Sequence, residues 1–324
     1  MNATVVRAGF LTTVQDLGRT GFRQFGVSNG GALDRHALKV ANFLVGNEAG
    51  AAGLELTQGN VCLHFDDERA IAWCGGEYDV RVESHPVPAG HCAIVPANNE
   101  LLISGPRSGC RSWLAISGGI DTSIVLGSRA TDLRAQFGGF EGRALRDADQ
   151  LPLGQAPRPD IAAATHGISS WSAPVEWTKT ARDEPTLRVV RGADWRRFDD
   201  LTIQCLTSET FDALPDSDRM GVRLDGPELK RNDDVDLISE AVAPGTIQVP
   251  PSGKPILLLG DCQTIGGYPK IAHVITVDLG IAAQLRVGDR VRFSEVSLAD
   301  AHRFLFEREL ELERFRIGLS LHTS

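Results

Sequence analysis

The 324-residue chain reads as a mainly β protein, built as barrels or sandwiches with a few helices, and three observations lead there. Its apolar residues come in short runs. Those runs are bounded by turn-forming residues, drawn from 34 glycines and 16 prolines together with Asn and Asp. Helical periodicity is confined to two clear places.

In the first half, Val61 to Phe65, Ala93 to Val95, Leu101 to Ser104 and Trp113 to Ser117 read as strands. In the second, the strands expected are Leu187 to Val190, Ile247 to Val249, Ile256 to Leu259, Val274 to Val277 and Arg290 to Phe293. Asp34 to Val45 reads as a helix: Asp34 can cap it, Leu38, Ala41 and Val45 share a face, and Gly46 can end it. Ser297 to Ile317 reads as a second helix, with Ser297 and Asp300 resembling a capping box. Residues 151–185 carry Pro152, Pro157, Pro159, Pro174 and Pro185, so a linker or crossing segment is expected there. Trp171 and Trp177 argue that part of it packs on a domain. The organisation expected is therefore a first barrel-like half over 1–150, the linker over 151–185, a second half over 186–296, and a helix and tail over 297–324. Two short echoes suggest that the halves are related. Leu33-Asp34-Arg35 followed by Glu55 resembles Ser217-Asp218-Arg219 followed by Glu240, and Ala148-Asp149-Gln150-Leu151 resembles Gly288-Asp289-Arg290-Val291.

Hydrophobic residues make up 42% and charged residues 23%, which is ordinary for a folded domain and excludes disorder for most of the chain. With 42 acids against 33 bases the net charge is -9, which repels phosphate backbones and argues against nucleic acid as a partner. No apolar run approaches the roughly 18 residues of a membrane helix. The first ten residues lack a signal-peptide pattern, so a cytoplasmic location and no membrane partner are expected. Cys62, Cys74, Cys92, Cys110, Cys205 and Cys262 form no metal-ligand spacing and read as inert thiols, and no metal site is expected. Walker A, dinucleotide, nucleophile-elbow and H-E-x-x-H signatures are absent.

Five polar, glycine-rich segments carry the candidate chemistry. Thr12 to Arg19 sets Asp16 and Arg19 around a glycine turn, most simply as a turn-stabilising pair. Gly30 to Asp34 opens the first helix, where Asp34 caps the helix or helps bind an anion. Ser217 to Leu224 carries Arg219 and Arg223, which would fork a carboxylate if the segment ran extended. Gly245 to Pro255 holds Gln248, a lone amide among β-branched neighbours that needs a polar partner. Gly260 to Lys270 follows a buried strand with Asp261, Gln263, Thr264, two glycines, Tyr268 and Lys270, and a polar loop at a strand end is a common place for a site. Lys270 beside Ile271 would have a lowered pKa or donate to a developing carbonyl or enolate oxygen.

Together these segments resemble one family. Thr-Val-Gln-Asp-Leu-Gly-Arg, Gly-Ala-Leu-Asp, Ala41 to Asn47, Leu54 to Thr57, Ser117 to Asp121, Leu126 to Thr131, Gly138 to Leu145, Ser217 to Leu224, Ile238 to Glu240, Gly245 to Pro250 and Asp261 to Lys270 occur in its order. The chain is similar to the carboxyltransferase domain family known as allophanate hydrolase subunit 2, KipA or the C component of 5-oxoprolinase. The resemblance implies a cyclophilin-like β-barrel architecture with two related halves. It implies two partners: a KipI-like subunit 1, which is the B component of 5-oxoprolinase, and a LamB/YcsF-like protein, which is the A component. The activity implied is ATP-dependent opening of 5-oxoproline to glutamate, with ATP used at the level of the complex and this chain inactive alone. The alternatives are the carboxyltransferase component of a urea carboxylase, with biotin on a separate carrier, and a KipA-like regulator without catalysis. A small amide substrate needs donors to its carbonyl oxygen and a base near its N–H. On that chemistry Lys270 and Gln263 would donate, Asp261 or Glu240 would supply a carboxylate, and Arg219 or Arg223 would anchor the substrate. Thr264, Tyr268, Gln248 and Asp34 would complete the binding set.

Overall fold

Alternating burial along short strands builds two units, in a computed structural model that describes residues 2–156, 167–233 and 237–322. The first unit takes Met1–Thr20, Gly30–Ala181 and Glu311–Ser324, and the second takes Gly21–Asn29 and Arg182–Leu310.

The strands of the first unit are β1 (Asn2–Ala8), β2 (Leu11–Gln15), β3 (Gly53–Thr57), β4 (Gly59–Phe65), β5 (Arg69–Val82), β6 (His85–Pro86), β7 (His91–Val95), β8 (Asn99–Ile116), β9 (Gln150–Pro152) and β10 (Ile168–Ser172). They form one ten-stranded sheet in the order β10-β7-β5-β8-β4-β1-β9, with β2 joined through β3 to β8 and β6 at β5. Its spine is the long antiparallel pair β5 and β8, whose register shifts twice between Gly75 and Asp79. Such bulges bend a pair too long to stay flat. Gly75 sits there at φ +129°, and a Cβ would come within 2.6 Å of the Arg111 carbonyl, so only glycine fits. Helix α1 (Arg35–Leu44) packs on β5 and β8 and buries Leu38, Ala41 and Leu44. Asp34 Oδ1 accepts from the Ala37 N–H at 2.9 Å, so this residue is the helix cap.

Several of the recognised motif residues are internal to this unit. Asp16 accepts from Ser128 Oγ and the Arg129 N–H, both at 2.6 Å. Arg19 donates to the Val125 and Ala130 carbonyls beneath the Phe137 ring. Glu55 accepts from the Leu33 N–H and Trp113 Nε1 at 3.0 and 2.9 Å. These are buried polar groups that find partners within the first unit, mostly in its loops.

The stretch expected as a linker or crossing segment holds strands and a short helix among its described residues. Asn2 pairs with Pro152, β10 adds an edge to β7, and α2 (Val175–Thr178) follows. Trp177 explains the docking: it meets the His36 and Phe315 rings edge-on at 5.2 and 5.5 Å. Residues 157–166 of that stretch, with Pro157 and Pro159, lie outside the described residues.

The second unit holds β11 (Thr186–Arg191), α3 (Asp200–Ser208), β12 (Phe211–Ala213), β13 (Gly221–Asp225), β14 (Glu240–Ala241), β15 (Thr246–Gln248), β16 (Ile256–Leu258), β17 (Ile265–Gly266), β18 (Lys270–Val274), α4 (Leu279–Ala282) and β19 (Arg290–Glu295). Seven strands close a barrel in the order β11-β18-β15-β16-β13-β12-β19, sealed by the parallel pairing of β11 with β19. The fold is thus mainly β as expected, but among the described residues only the second unit closes. The strand expected at Val274 to Val277 instead begins at Lys270 and gives way to a 3-10 turn at Thr276–Asp278, where the Asp278 N–H bonds back to the Ile275 carbonyl. Helix α5 (Leu298–His322) starts with the expected box: the Asp300 N–H donates to Ser297 Oγ at 3.0 Å, and that hydroxyl donates to the Asp300 carboxylate at 2.7 Å.

One of the two sequence echoes is structural. Asp149 accepts from the Arg146 N–H and donates its own N–H to the Arg146 carbonyl, and Asp289 does the same with Arg286. The residue before each has positive φ, Ala148 at 72° and Gly288 at 84°, and each donates to a strand carbonyl, Val5 in one unit and Ala213 in the other. The other echo is not: Asp34 caps a helix, whereas Asp218 closes a turn through the Met220 and Gly221 N–H groups.

Candidate functional site

Strand register in the second unit creates a row that no sequence window contains. Arg223 pairs with Ile256, Ile256 with Gln248, and Gln248 with Lys270, across β13, β16, β15 and β18. The neighbouring row, Val222, Leu257, Ile247 and Ala272, is fully buried core. Side chains alternate across a sheet, so Arg223, Ile256 and Gln248 face away from that core, and a register shift between Ile247 and Gln248 is what brings Lys270, two residues from Ala272, opposite Gln248. Val242, Leu258 and Cys262, with Ile256 against them, form a small second apolar cluster.

A cleft of about 230 Å³ opens on this row. Asp216, Asp218, Arg223, Gln248, Gln263 and Tyr268 supply its polar wall, and Met220, Ile256 and Leu258 its apolar floor. Gln248 is 1% exposed and donates from Nε2 to the Tyr268 carbonyl at 3.3 Å. It accepts at Oε1 from Gln263 Nε2, also at 3.3 Å. Tyr268 is 45% exposed at the mouth. Among the described residues, the Arg223 guanidinium has no hydrogen-bond or ion-pair partner. Asp218 is engaged by the two N–H groups of its own turn.

Other candidates stand beside the cleft rather than in it. Lys270 Nζ donates to Glu240 Oε2 at 2.8 Å and lies 3.4 Å from Asp194 Oδ2. Burial works against its ammonium, but the Glu240 hydrogen bond and the Asp194 charge outweigh that and hold its pKa above the ordinary lysine value. The expectation of a lowered pKa is therefore overturned, and Lys270 is a charged donor at neutral pH. Glu240 occupies β14, paired to Gly266 of β17. Asp261 and Arg219 form a two-bond ion pair at 2.8 and 3.1 Å. Arg219 lies in the turn before β13 and is buried, while Arg223 lies on the strand and is exposed, so the two arginines do not form one fork. Thr264 accepts from the Val242 N–H through its carbonyl. Asp34, in the first unit, is occupied as a cap and is not among the residues of this cleft.

Sequence reading missed three groups. Asp194 touches Lys270 twice, through Nζ and through the backbone N–H at 2.9 Å, and its signal is the polar turn after β11. Asp216 lines the cleft with no motif to mark it. Arg23, almost 240 residues away in sequence, donates to the Val242 and Gln263 carbonyls and has no local signal. Burial pushes the nearby Cys262 thiol up to about 11, with the Arg23 cation working the other way. Among the described residues, no group of three or more His, Cys, Asp and Glu is arranged to hold a metal, and no helix is long and apolar enough to cross a membrane.

The comparisons with known proteins agree with the geometry of two strand-rich units. The family model described as carboxyltransferase domain, subdomain A and B, matches residues 25–295. The chain is 40% identical over 297 residues to the C component of 5-oxoprolinase from Escherichia coli, covering 92% of each chain. It is 36% identical over 304 residues to the C component of 5-oxoprolinase from Haemophilus influenzae, covering 94% of each. The crystal structure of the Kluyveromyces lactis urea carboxylase superposes with a TM-score of 0.89 at 26% identity, over 97% of this chain and 29% of that one. This chain therefore spans less than a third of that enzyme. A model matching most of the length, and two relatives matched almost from end to end, show that the chain belongs to the carboxyltransferase domain family, subdomains A and B.

Proposed function

We propose that this chain is the C component of an ATP-dependent 5-oxoprolinase, which opens 5-oxo-L-proline to L-glutamate. The observation that carries this reading is the near end-to-end match to two proteins of that name, at 40% and 36% identity. The cleft supports it. 5-Oxoproline is a small lactam with one carboxylate, and Arg223, whose guanidinium has no partner among the described residues, would receive that carboxylate. In the reaction the lactam C–N bond breaks, water adds to the carbonyl carbon, and the nitrogen leaves as the amine of glutamate. On this reading Gln263 and Tyr268 would hydrogen-bond the amide, while Lys270, held charged between Glu240 and Asp194, braces the end of the row.

The cleft does not fit ATP. Among the described residues its one cation stands beside two carboxylates, and its volume suits a molecule much smaller than a nucleotide. ATP use is proposed at the level of the complex. Its partners are a KipI-like B component and a LamB/YcsF-like A component, and the cytoplasm is its setting. The carboxyltransferase reading draws support from the urea carboxylase superposition, but urea carries no carboxylate for Arg223.

The test is reconstitution of the chain with its companion proteins, with 5-oxoproline and with or without ATP. Glutamate formation that needs both ATP and this chain is expected. Arg223→Ala should raise KM about 10- to 150-fold, the worth of one hydrogen-bonded charge. No turnover from a complete, folded complex would overturn the assignment, and carboxybiotin-dependent transfer would be the next assay.

A further inference from the structure

The amides in the cleft have a forced polarity. A backbone carbonyl only accepts, so the end of Gln248 that lies 3.3 Å from the Tyr268 carbonyl must be its NH2. The other end is then a carbonyl, which also only accepts. Gln263 must turn its own NH2 toward it, at 3.3 Å. A flip of Gln248 would set two carbonyls against each other at Tyr268. Gly266 holds the arrangement: a Cβ on it would come within 2.7 Å of Gln248 Nε2. What remains is Gln263 Oε1, an acceptor in the cleft wall to which no described residue donates.

We propose that Gln263 Oε1 reads the N–H of the substrate amide, and that Gln248 and Gly266 are positioning residues that set its polarity. Together with Arg223, this makes the cleft selective for small carboxylates that carry an unsubstituted amide N–H. The inference rests on the 5-oxoprolinase reading and adds to it which atom recognises the lactam nitrogen. It also explains why a buried glutamine stands in the row at all: an apolar residue there would leave Gln263 free to present either end.

The experiment compares 5-oxoproline with 3-oxocyclopentane-1-carboxylate, in which CH2 replaces the ring N–H at almost unchanged shape. Each is titrated calorimetrically into the assembled complex without ATP. The unaltered complex is expected to bind the lactam at least about 10-fold more tightly than the ketone, because a lone acceptor left facing CH2 goes unpaired. Gln263→Met should bring the two within about twofold by weakening the lactam alone. Gly266→Ala should narrow the preference by displacing the Gln248 amide, and Gln248→Met does so by a second route should Gly266→Ala fail to fold. A loss of overall packing would weaken both ligands alike, so the ratio separates positioning from stability. Equal binding by the unaltered complex, or an unchanged preference in Gln263→Met, would overturn this inference alone. Binding of neither carboxylate would overturn it together with the 5-oxoprolinase reading.

Discussion

Replacing Arg219 by Met should destabilise the second unit far more than the loss of a surface arginine would. Its guanidinium makes bonds of 2.8 and 3.1 Å to Asp261, and the two side chains are only 5% and 10% exposed. Removing one member leaves the other charge desolvated without its two-bond counterion, at a cost of up to about 3–5 kcal/mol. Asp261→Leu should cost a similar amount for the same reason. The double change to Met and Leu removes both charges, and an apolar replacement of a buried pair is often close to neutral. The assay is amide hydrogen exchange followed by mass spectrometry over β13 and β16, with β5 and β8 of the first unit as the internal control. A loss of about 3 kcal/mol appears as exchange roughly 150-fold faster where protection reports global opening of the unit. Each single variant should show at least that acceleration in β13 and β16 and none in the control strands. The double variant should lie within about 10-fold of the unaltered chain. Single effects that simply add in the double would refute the reasoning, because the two charges would then be independent of each other.

Four further outcomes are expected. Burial holds the Cys62 and Cys262 thiols up to about 11 and Cys92 up to about 12, so a thiol reagent at pH 8 should label half-buried Cys205 first; fast labelling of any of the other three would contradict their burial. Burial depresses the pKa of His273, so the unfolded chain binds the extra proton first as pH falls, and stability should decline from about 6.5 downward. His273→Gln should remove part of that decline in melting temperature, and an unchanged slope would exclude it. Lys270 is held above the ordinary lysine value, so its 13Cε resonance should show no titration between about pH 6 and 10; a midpoint in that range would restore a lowered pKa. Asp34→Ala should lose about 0.5–2 kcal/mol of capping stability while leaving KM for 5-oxoproline unchanged, whereas a raised KM would return Asp34 to substrate binding.

Local physics is readable in the sequence where local physics decides. Asp34 as a cap, the Ser297 and Asp300 box, and the short strands all follow from rules acting over a few residues. The matching turns at Asp149 and Asp289 are visible for the same reason, since each is a self-contained loop. Over 151–185, proline density argues for a linker, yet the described parts are fastened by pairing with β1 and β7 and by Trp177. At Lys270 an apolar neighbour suggests a lowered pKa, whereas the deciding Glu240 and Asp194 come from distant segments. Spacing groups Arg219 with Arg223, but the strand starts at Gly221 and puts them in different structures.

The sequence by itself determined that the chain is a mainly β member of its family, because strand alternation and turn residues are written locally and the ordered motifs are specific. It also determined which loop carries most of the candidate polar groups. Only the tertiary structure decided which of those groups meet. Arg223, Gln248, Ile256 and Lys270 share one row because antiparallel register places them opposite one another, and register depends on the closed barrel as a whole. The same closure pairs Arg219 with Asp261 and, among the described residues, leaves the Arg223 guanidinium without a partner, so it separates two arginines that look alike in the sequence.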